Sequence, residues 1–191
     1  PLDGIEVRII GLDSGEDAAP GTVGEIIYRG WNRFLGYYNE PELTAQVIDA
    51  DGWFHSGDIG TIDYDGRVTY VGRIKDMLKV GGENVAAAEI EGHLVDHPAV
   101  QIVQVVSAPD ARYTEVPVAF IELKAGATAT EQELIDHCRG QISTFKVPRY
   151  VRFVAEWPMS GTKIKKYVLR EQIAAELAER GVTEAPRVTS T

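Results

Sequence analysis

Residues 66–76 read Gly66-Arg67-Val68-Thr69-Tyr70-Val71-Gly72-Arg73-Ile74-Lys75-Asp76, and two kinds of chain meet in them. The Asp65-Gly66 pair ahead of Val68 is a hairpin signal, because glycine supplies the positive φ that a tight turn needs. Val68 to Val71 is then a strand, rich in β-branched and aromatic residues. Upstream, Ile5-Glu6-Val7-Arg8-Ile9 and Glu25-Ile26-Ile27-Tyr28 alternate, with Gly-, Asp- and Pro-rich stretches between them. Residues 1 to about 72 are therefore expected to be turns and antiparallel strands, the edge of a larger barrel-like unit.

Beyond residue 75 the pattern becomes mixed. Ala86 to His97 reads as a short helix with Ile90 and Leu94 on one face and Pro98 as its stop. Val100 to Val106 is a strand, and Val116 to Leu123 a second one, apolar enough to be buried on both faces. Thr130 followed by Glu133 is a capping box, and Leu134, Cys138 and Ile142 line the helix it opens. Tyr150 to Val154 is a third strand. Leu169, Ile173 and Leu177 line a last helix that ends at Gly181. The expected fold class is α+β: a small domain over 75–181, built as a three-stranded sheet with helices plus a β-hairpin. It is preceded by a β-rich piece over 1–74 and followed by a frayed tail over 182–191. No internal repeat or low-complexity segment is present.

The 191 residues suffice for one or two small domains. A formal net charge of −10 repels nucleic acid and anionic membranes, and neither is an expected partner. No apolar run approaches the roughly 20 residues that span a bilayer. The single Cys138 forms no internal disulfide, and no Cys/His spacing suggests zinc. A reducing cytoplasm is the expected compartment. The start at Pro1, without an initiator Met, reads as the interior of a longer protein.

Four clusters have chemistry in them. Asp58, closing Gly52-Trp53-Phe54-His55-Ser56-Gly57-Asp58 at the end of a strand-like segment, is either a turn aspartate or a carboxylate for a ribose diol. Arg73, in Gly72-Arg73-Ile74-Lys75-Asp76, is either a solvated turn cation or a fork for ribose and phosphate oxygens. Gly81-Gly82, in Lys79-Val80-Gly81-Gly82-Glu83-Asn84-Val85, is either a hairpin turn or a close approach of backbone to a ligand. Lys163, in Pro158-Met159-Ser160-Gly161-Thr162-Lys163-Ile164-Lys165-Lys166, is either part of a basic helix start or a mobile cation for an anionic centre.

In joint order and spacing these motifs resemble the adenylate-forming superfamily, which includes acyl-CoA synthetases, peptide-synthetase adenylation domains and beetle luciferase. The likeness runs from Pro1 to about Ile173. It takes in Gly21-Thr22-Val23-Gly24-Glu25, Gly36-Tyr37-Tyr38-Asn39-Glu40-Pro41, Thr44, Glu89-Ile90-Glu91 and Leu169-Arg170 besides the four clusters. The resemblance implies that Asp58 holds ribose hydroxyls of ATP, that Arg73 contacts the nucleotide, and that Tyr70 lines its site. It implies that Lys75 is the hinge of a rotating C-terminal domain, that Lys79, Gly81 and Gly82 serve thioester formation, and that Lys163 is the catalytic lysine of adenylation. Two departures stand out. Gly161-Thr162 precedes the lysine where the family usually has Gly directly before it, and Ser56 stands where Thr is more usual. The family's Ser/Thr/Gly-rich phosphate loop is missing from these residues, as are its adenine motif and acyl pocket.

The function so implied is an AMP-forming carboxylate–CoA ligase, similar to the fatty acyl-CoA synthetases, with ATP, Mg²⁺, CoA and a small-molecule carboxylic acid as its reactants and the missing N-terminal domain supplied in cis. These residues alone are expected to be inactive. Within the same superfamily the alternative is an acyl-AMP ligase or adenylation domain that loads a carrier protein. From another class it is a stand-alone, non-catalytic module.

Overall fold

The computed structural model describes residues 2–188, and the chain divides into two compact units between Lys75 and Asp76. The first is an antiparallel meander in the order β1-β2-β3-β4, formed by β1 (Ile5–Ile10), β2 (Gly24–Gly30), β3 (Phe54–Ile62) and β4 (Val68–Arg73). Its core is small. Ile10, Ile27 and Trp53 cluster in it, and the Trp53 ring is covered by the guanidinium groups of Arg8 and Arg29 at 4.4 and 4.6 Å. Cation–π packing of this kind stands in for aliphatic neighbours.

Two elements of this unit differ from the sequence reading. A helix α1 (Pro41–Val47) begins with proline in its first turn and buries none of its residues. With no apolar stripe it leaves no periodic signal, and proline at its start is the one cue. Strand β3 runs on past Asp58, where the strand-like segment of the sequence reading ends, to Ile62, because its extension contains Gly60, a poor strand former that hides the pattern. The turn into β4 is also longer than the Asp65-Gly66 pair alone. Asp63 caps it, its carboxylate accepting from the N–H groups of Asp65 and Arg67.

The second unit holds a five-stranded sheet. Strands β5 (Met77–Val80), β6 (Glu83–Ala86), β7 (Val100–Asp110), β8 (Thr114–Leu123) and β9 (Tyr150–Phe153) contribute, in the order β6-β5-β8-β7 with β9 also on β8. The expected three-stranded sheet and separate hairpin are therefore one sheet, because Val80 pairs with Thr114 and brings β5 onto β8. Helices α2 (Ala87–Val95) and α3 (Glu131–Cys138) cover one face, and α4 (Lys166–Glu179) the other.

Strand β8 shows why the layers form. Val116, Val118 and Phe120 pack with Leu169, Ile173 and Leu177 of α4. The alternate residues Ala119 and Ile121 pack with Ile90, Leu94, Leu134 and Cys138. Side chains alternate across a strand, so a strand apolar at every position needs cover on both sides. Helix α3 ends at Cys138, so Ile142 lies beyond the helix, although it still packs against the same core.

The capping box is present in full. Thr130 Oγ1 accepts from Glu133 N–H at 3.1 Å, and Thr130 N–H donates to the Glu133 carboxylate at 3.4 Å. Thr130→Ala is expected to lower stability by about 1 kcal/mol in urea unfolding, with Thr130→Ser close to the parent.

The tail is not frayed over its described part. Ala185 is buried and Val182 and Val188 pack on the two cores. Ala111 N–H donates to Thr183 O at 2.9 Å, and Arg112 pairs with Glu184. Val182, Ala185 and Val188 recur every three residues, but the polar and proline residues between them hide the pattern in so short a segment. Residues 189–191 lie outside the described residues. Among those described, no helix is long and apolar enough to cross a membrane.

Candidate functional site

In the first unit Asp58 lies within β3 rather than at a strand end. Between the pairs His55↔Ile27 and Ile59↔Glu25, β3 is longer than β2 and must bulge. Gly57 takes φ +68 there, a conformation open to glycine at little cost. The bulge is tied down by side chains. Ser56 Oγ donates to Ile26 O at 2.5 Å and accepts from Asp58 N–H at 3.0 Å. Gly57 N–H donates to the Glu25 carboxylate at 3.0 Å, whose other oxygen lies 3.0 Å from His55 Nδ1. The hydroxyl at position 56 is what this geometry uses, which explains how Ser serves where Thr is more usual.

Asp58 and Arg73 are register partners on β3 and β4. Arg73 Nε donates to Asp58 Oδ1 at 2.7 Å, with both side chains more than a third exposed. An ion pair so open to water adds little stability by itself, and it leaves a carboxylate and a guanidinium side by side at the surface. Tyr70 stands opposite Gly60 on β4 and is 58% exposed. A Cβ at Gly60 would lie 2.4 Å from Thr69 O, so only glycine lets the two strands close here. Lys75 is exposed, in the 3₁₀ turn Ile74–Asp76, and is the last residue of the first unit.

In the second unit Lys79 is exposed on β5, and Gly81 and Gly82 form the two-residue turn between the paired Val80 and Glu83. Their φ values of +61 and +92 suit a type I′ hairpin, which requires positive φ at both central positions. Gly81 N–H donates to Tyr113 O at 2.8 Å, which holds the turn against the tip of the β7–β8 hairpin.

Lys163 sits on a second tight hairpin, formed by β10 (Met159–Ser160) and β11 (Lys163–Ile164), with Ser160 as its register partner. Gly161 and Thr162 are the turn, and Gly161 has φ +59. Glycine at the first central position is the requirement of a type II′ turn. Placing the glycine at 161 rather than 162 is thus the local solution of this chain. Lys163 is exposed, and its side chain forms no hydrogen bond or ion pair among the described residues. Its neighbours do. Lys166 Nζ lies 2.6 Å from Glu91 Oε1, and the same oxygen accepts from Val105 N–H at 2.7 Å. Lys146 pairs with Glu89 at 2.6 Å.

The structure brings Asp58 and Arg73 together, joins Lys79, Gly81 and Gly82 in one hairpin, and presents Lys163 on another. Glu91 and Tyr113 escaped the sequence reading as supports of these hairpins. Glu91 carries a signal only in the Glu89-Ile90-Glu91 triplet, and Tyr113 acts through its backbone carbonyl, which carries none. Cys138 is fully buried, and burial pushes its thiol up to about 12, so it is no candidate nucleophile. Among the described residues no group of three or more His, Cys, Asp or Glu is arranged to hold a metal ion.

Residues 89–166 match the family described as the AMP-binding enzyme C-terminal domain. The human medium-chain acyl-CoA ligase ACSF2, a mitochondrial protein, is 42% identical over 173 residues, which is 90% of this chain and 28% of that protein. The ATP-bound crystal structure of MatB from Rhodopseudomonas palustris superposes with a TM-score of 0.84 at 35% identity, over 91% of this chain and 35% of MatB. The amide bond synthetase McbA from Marinactinospora thermotolerans gives 0.83 at 35% identity, over 90% of this chain and 35% of McbA. The chain thus spans about a third of the length of the proteins it matches.

Proposed function

From the membership of this chain in the AMP-binding enzyme C-terminal domain family, the adenylate-forming enzymes to which acyl-CoA synthetases belong, we propose that it serves an AMP-forming acid–thiol ligase. The substrates are a carboxylic acid, ATP and CoA. In the first half-reaction a carboxylate oxygen bonds to the α-phosphorus of ATP. The bond from that phosphorus to pyrophosphate breaks, and pyrophosphate leaves with the electron pair. In the second the thiolate sulfur of CoA bonds to the acyl carbon, the carbon–oxygen bond to phosphate breaks, and AMP leaves.

The observation that carries this reading is Lys163. It is an exposed cation without a side-chain partner among the described residues, on a two-residue hairpin followed by residues fastened through Glu91. Both reactants of the first step are anions, so a preorganised positive charge lowers the barrier where charge builds up. Asp58 and Arg73 supply the ribose acceptor and the oxygen-binding fork, and Tyr70 lines the same nucleotide. Lys79, Gly81 and Gly82 belong to the second half-reaction, and Lys75 is the pivot that exchanges the two faces of the second unit. These residues are not proposed to hold Mg²⁺ directly, since no carboxylate cluster among the described residues is arranged for it. The ion belongs with the nucleotide phosphates.

The test is a carboxylic-acid panel on the full-length protein, scored for pyrophosphate release with and without CoA. Release with an acyl-CoA product is the expected result. Release that ends at acyl-adenylate whether or not CoA is present moves the protein to the carrier-loading branch. No release with any acid removes the ligase reading. The 191 residues alone contain no phosphate loop and are expected to show no ATP–pyrophosphate exchange.

A further inference from the structure

The described tail reaches the Gly81-Gly82 turn through one carboxylate. Asp110 ends β7 and is 6% exposed. Its Oδ1 accepts from Arg112 N–H and Tyr113 N–H, both at 2.8 Å. Its Oδ2 accepts from Ala185 N–H at 2.5 Å. Burial alone would raise this carboxyl, but the N–H groups of Ala185, Tyr113 and Arg112 outweigh it and hold it below its ordinary value. Asp110 therefore joins the C-terminal segment to the β7–β8 tip on one side and shapes that tip on the other.

The tip in turn holds the glycine turn. Tyr113 O accepts from Gly81 N–H at 2.8 Å, and Thr114 pairs with Val80, the residue before Gly81. Thr114 takes φ +68, a genuine outlier for a β-branched residue. Such a conformation persists only where the surroundings over-determine it. Here the surroundings are the Asp110 carboxylate, the ladder to Val80, and the tail crossing from Thr183 to Ala185.

We propose that Asp110 and the tail segment Val182–Ala185 are positioning elements for thioester formation, acting through Tyr113 on the Gly81-Gly82 turn and leaving adenylation by Lys163 untouched. This rests on the ligase reading above for its choice of half-reaction. Asp110 touches no reacting atom. It sets the place of a loop past which the CoA thiolate reaches the acyl carbon as AMP departs.

Two substitutions cut the same hydrogen bond from opposite sides in the full-length protein. Asp110→Asn keeps the shape and an acceptor for the tip while offering an amide, not a carboxylate, to Ala185. Ala185→Pro removes the donor. Each is expected to slow acyl transfer from preformed acyl-adenylate to CoA about tenfold, with ATP–pyrophosphate exchange within about twofold of the parent. Each is also expected to speed hydrogen exchange at the Gly81 amide by about tenfold, with melting temperature measured alongside. Equal loss in both half-reactions, or parent-like acyl transfer, overturns the proposal. If the parent itself transfers no acyl group, it is the ligase reading that fails. The Gly81 amide then still decides whether the tail governs this turn, and unchanged protection there overturns the positioning role.

Discussion

Lys163→Ala in the full-length protein is expected to slow ATP–pyrophosphate exchange about 100-fold, an effect of about 3 kcal/mol on the barrier, by analogy with loss of one preorganised donor. Acyl transfer from added acyl-adenylate to CoA is expected to stay near the parent value, because that step needs no cation on the carboxylate. The geometry supports a selective effect. The ammonium is exposed and makes no hydrogen bond or ion pair among the described residues, so its removal orphans no buried partner. The hairpin that carries it is closed by backbone, through Ser160↔Lys163 and Lys165 N–H to Pro158 O at 2.7 Å. Folding should therefore be indifferent to the change, and an unaltered melting temperature belongs to the expected result. Lys163→Arg is a useful companion. It keeps the charge but spreads it over a planar fork on a three-methylene stem in place of a compact ammonium on four, and partial activity is expected. Exchange at the parent rate in the alanine variant would remove Lys163 from the mechanism.

Lys75→Pro is the second large effect. A 3₁₀ turn has φ between about −50° and −70°, close to the value at which proline is locked. Proline therefore fits the φ of position 75 in the turn Ile74–Asp76, at a cost to the helical conformation of Ile74 before it, and the substitution penalises any other φ at position 75. An exchange of the Lys163 face for the Gly81-Gly82 face needs a few residues at the unit boundary to absorb a large dihedral change. Lys75 stands at that boundary, with the second unit beginning at Asp76. Acyl transfer to CoA is expected to fall about 100-fold, as a misplaced reacting pair does, with adenylation much less affected. The preceding residue is restricted as well, so Lys75→Ala serves as the control and should retain both steps. Equal loss in both half-reactions of Lys75→Pro would argue against the pivot.

Together with the Asp110 and Ala185 substitutions, these variants separate three contributions that a single overall rate would merge. Lys163 should act on the first half-reaction, and Lys75 on the exchange between the two. Asp110 should act on the second half-reaction through the position of a turn.

The sequence alone determined the parts whose physics is local. The change of pattern near residue 75, the capping box at Thr130, the amphipathic face of Leu169, Ile173 and Leu177, and the glycine pair of the β5–β6 turn all follow from neighbouring residues and their dihedral preferences. Order and spacing of the charged motifs led to the family. Only the tertiary structure decided that the hairpin and the three strands are one sheet, since a single pairing of Val80 with Thr114 joins them across more than thirty residues. It alone decided that Asp58 leans on Arg73 as its register partner, and that the tail is fastened by a carboxylate 75 positions away. Those contacts depend on strand register and on backbone N–H and C=O groups, which every residue type carries alike and which therefore leave no mark in the string of side chains.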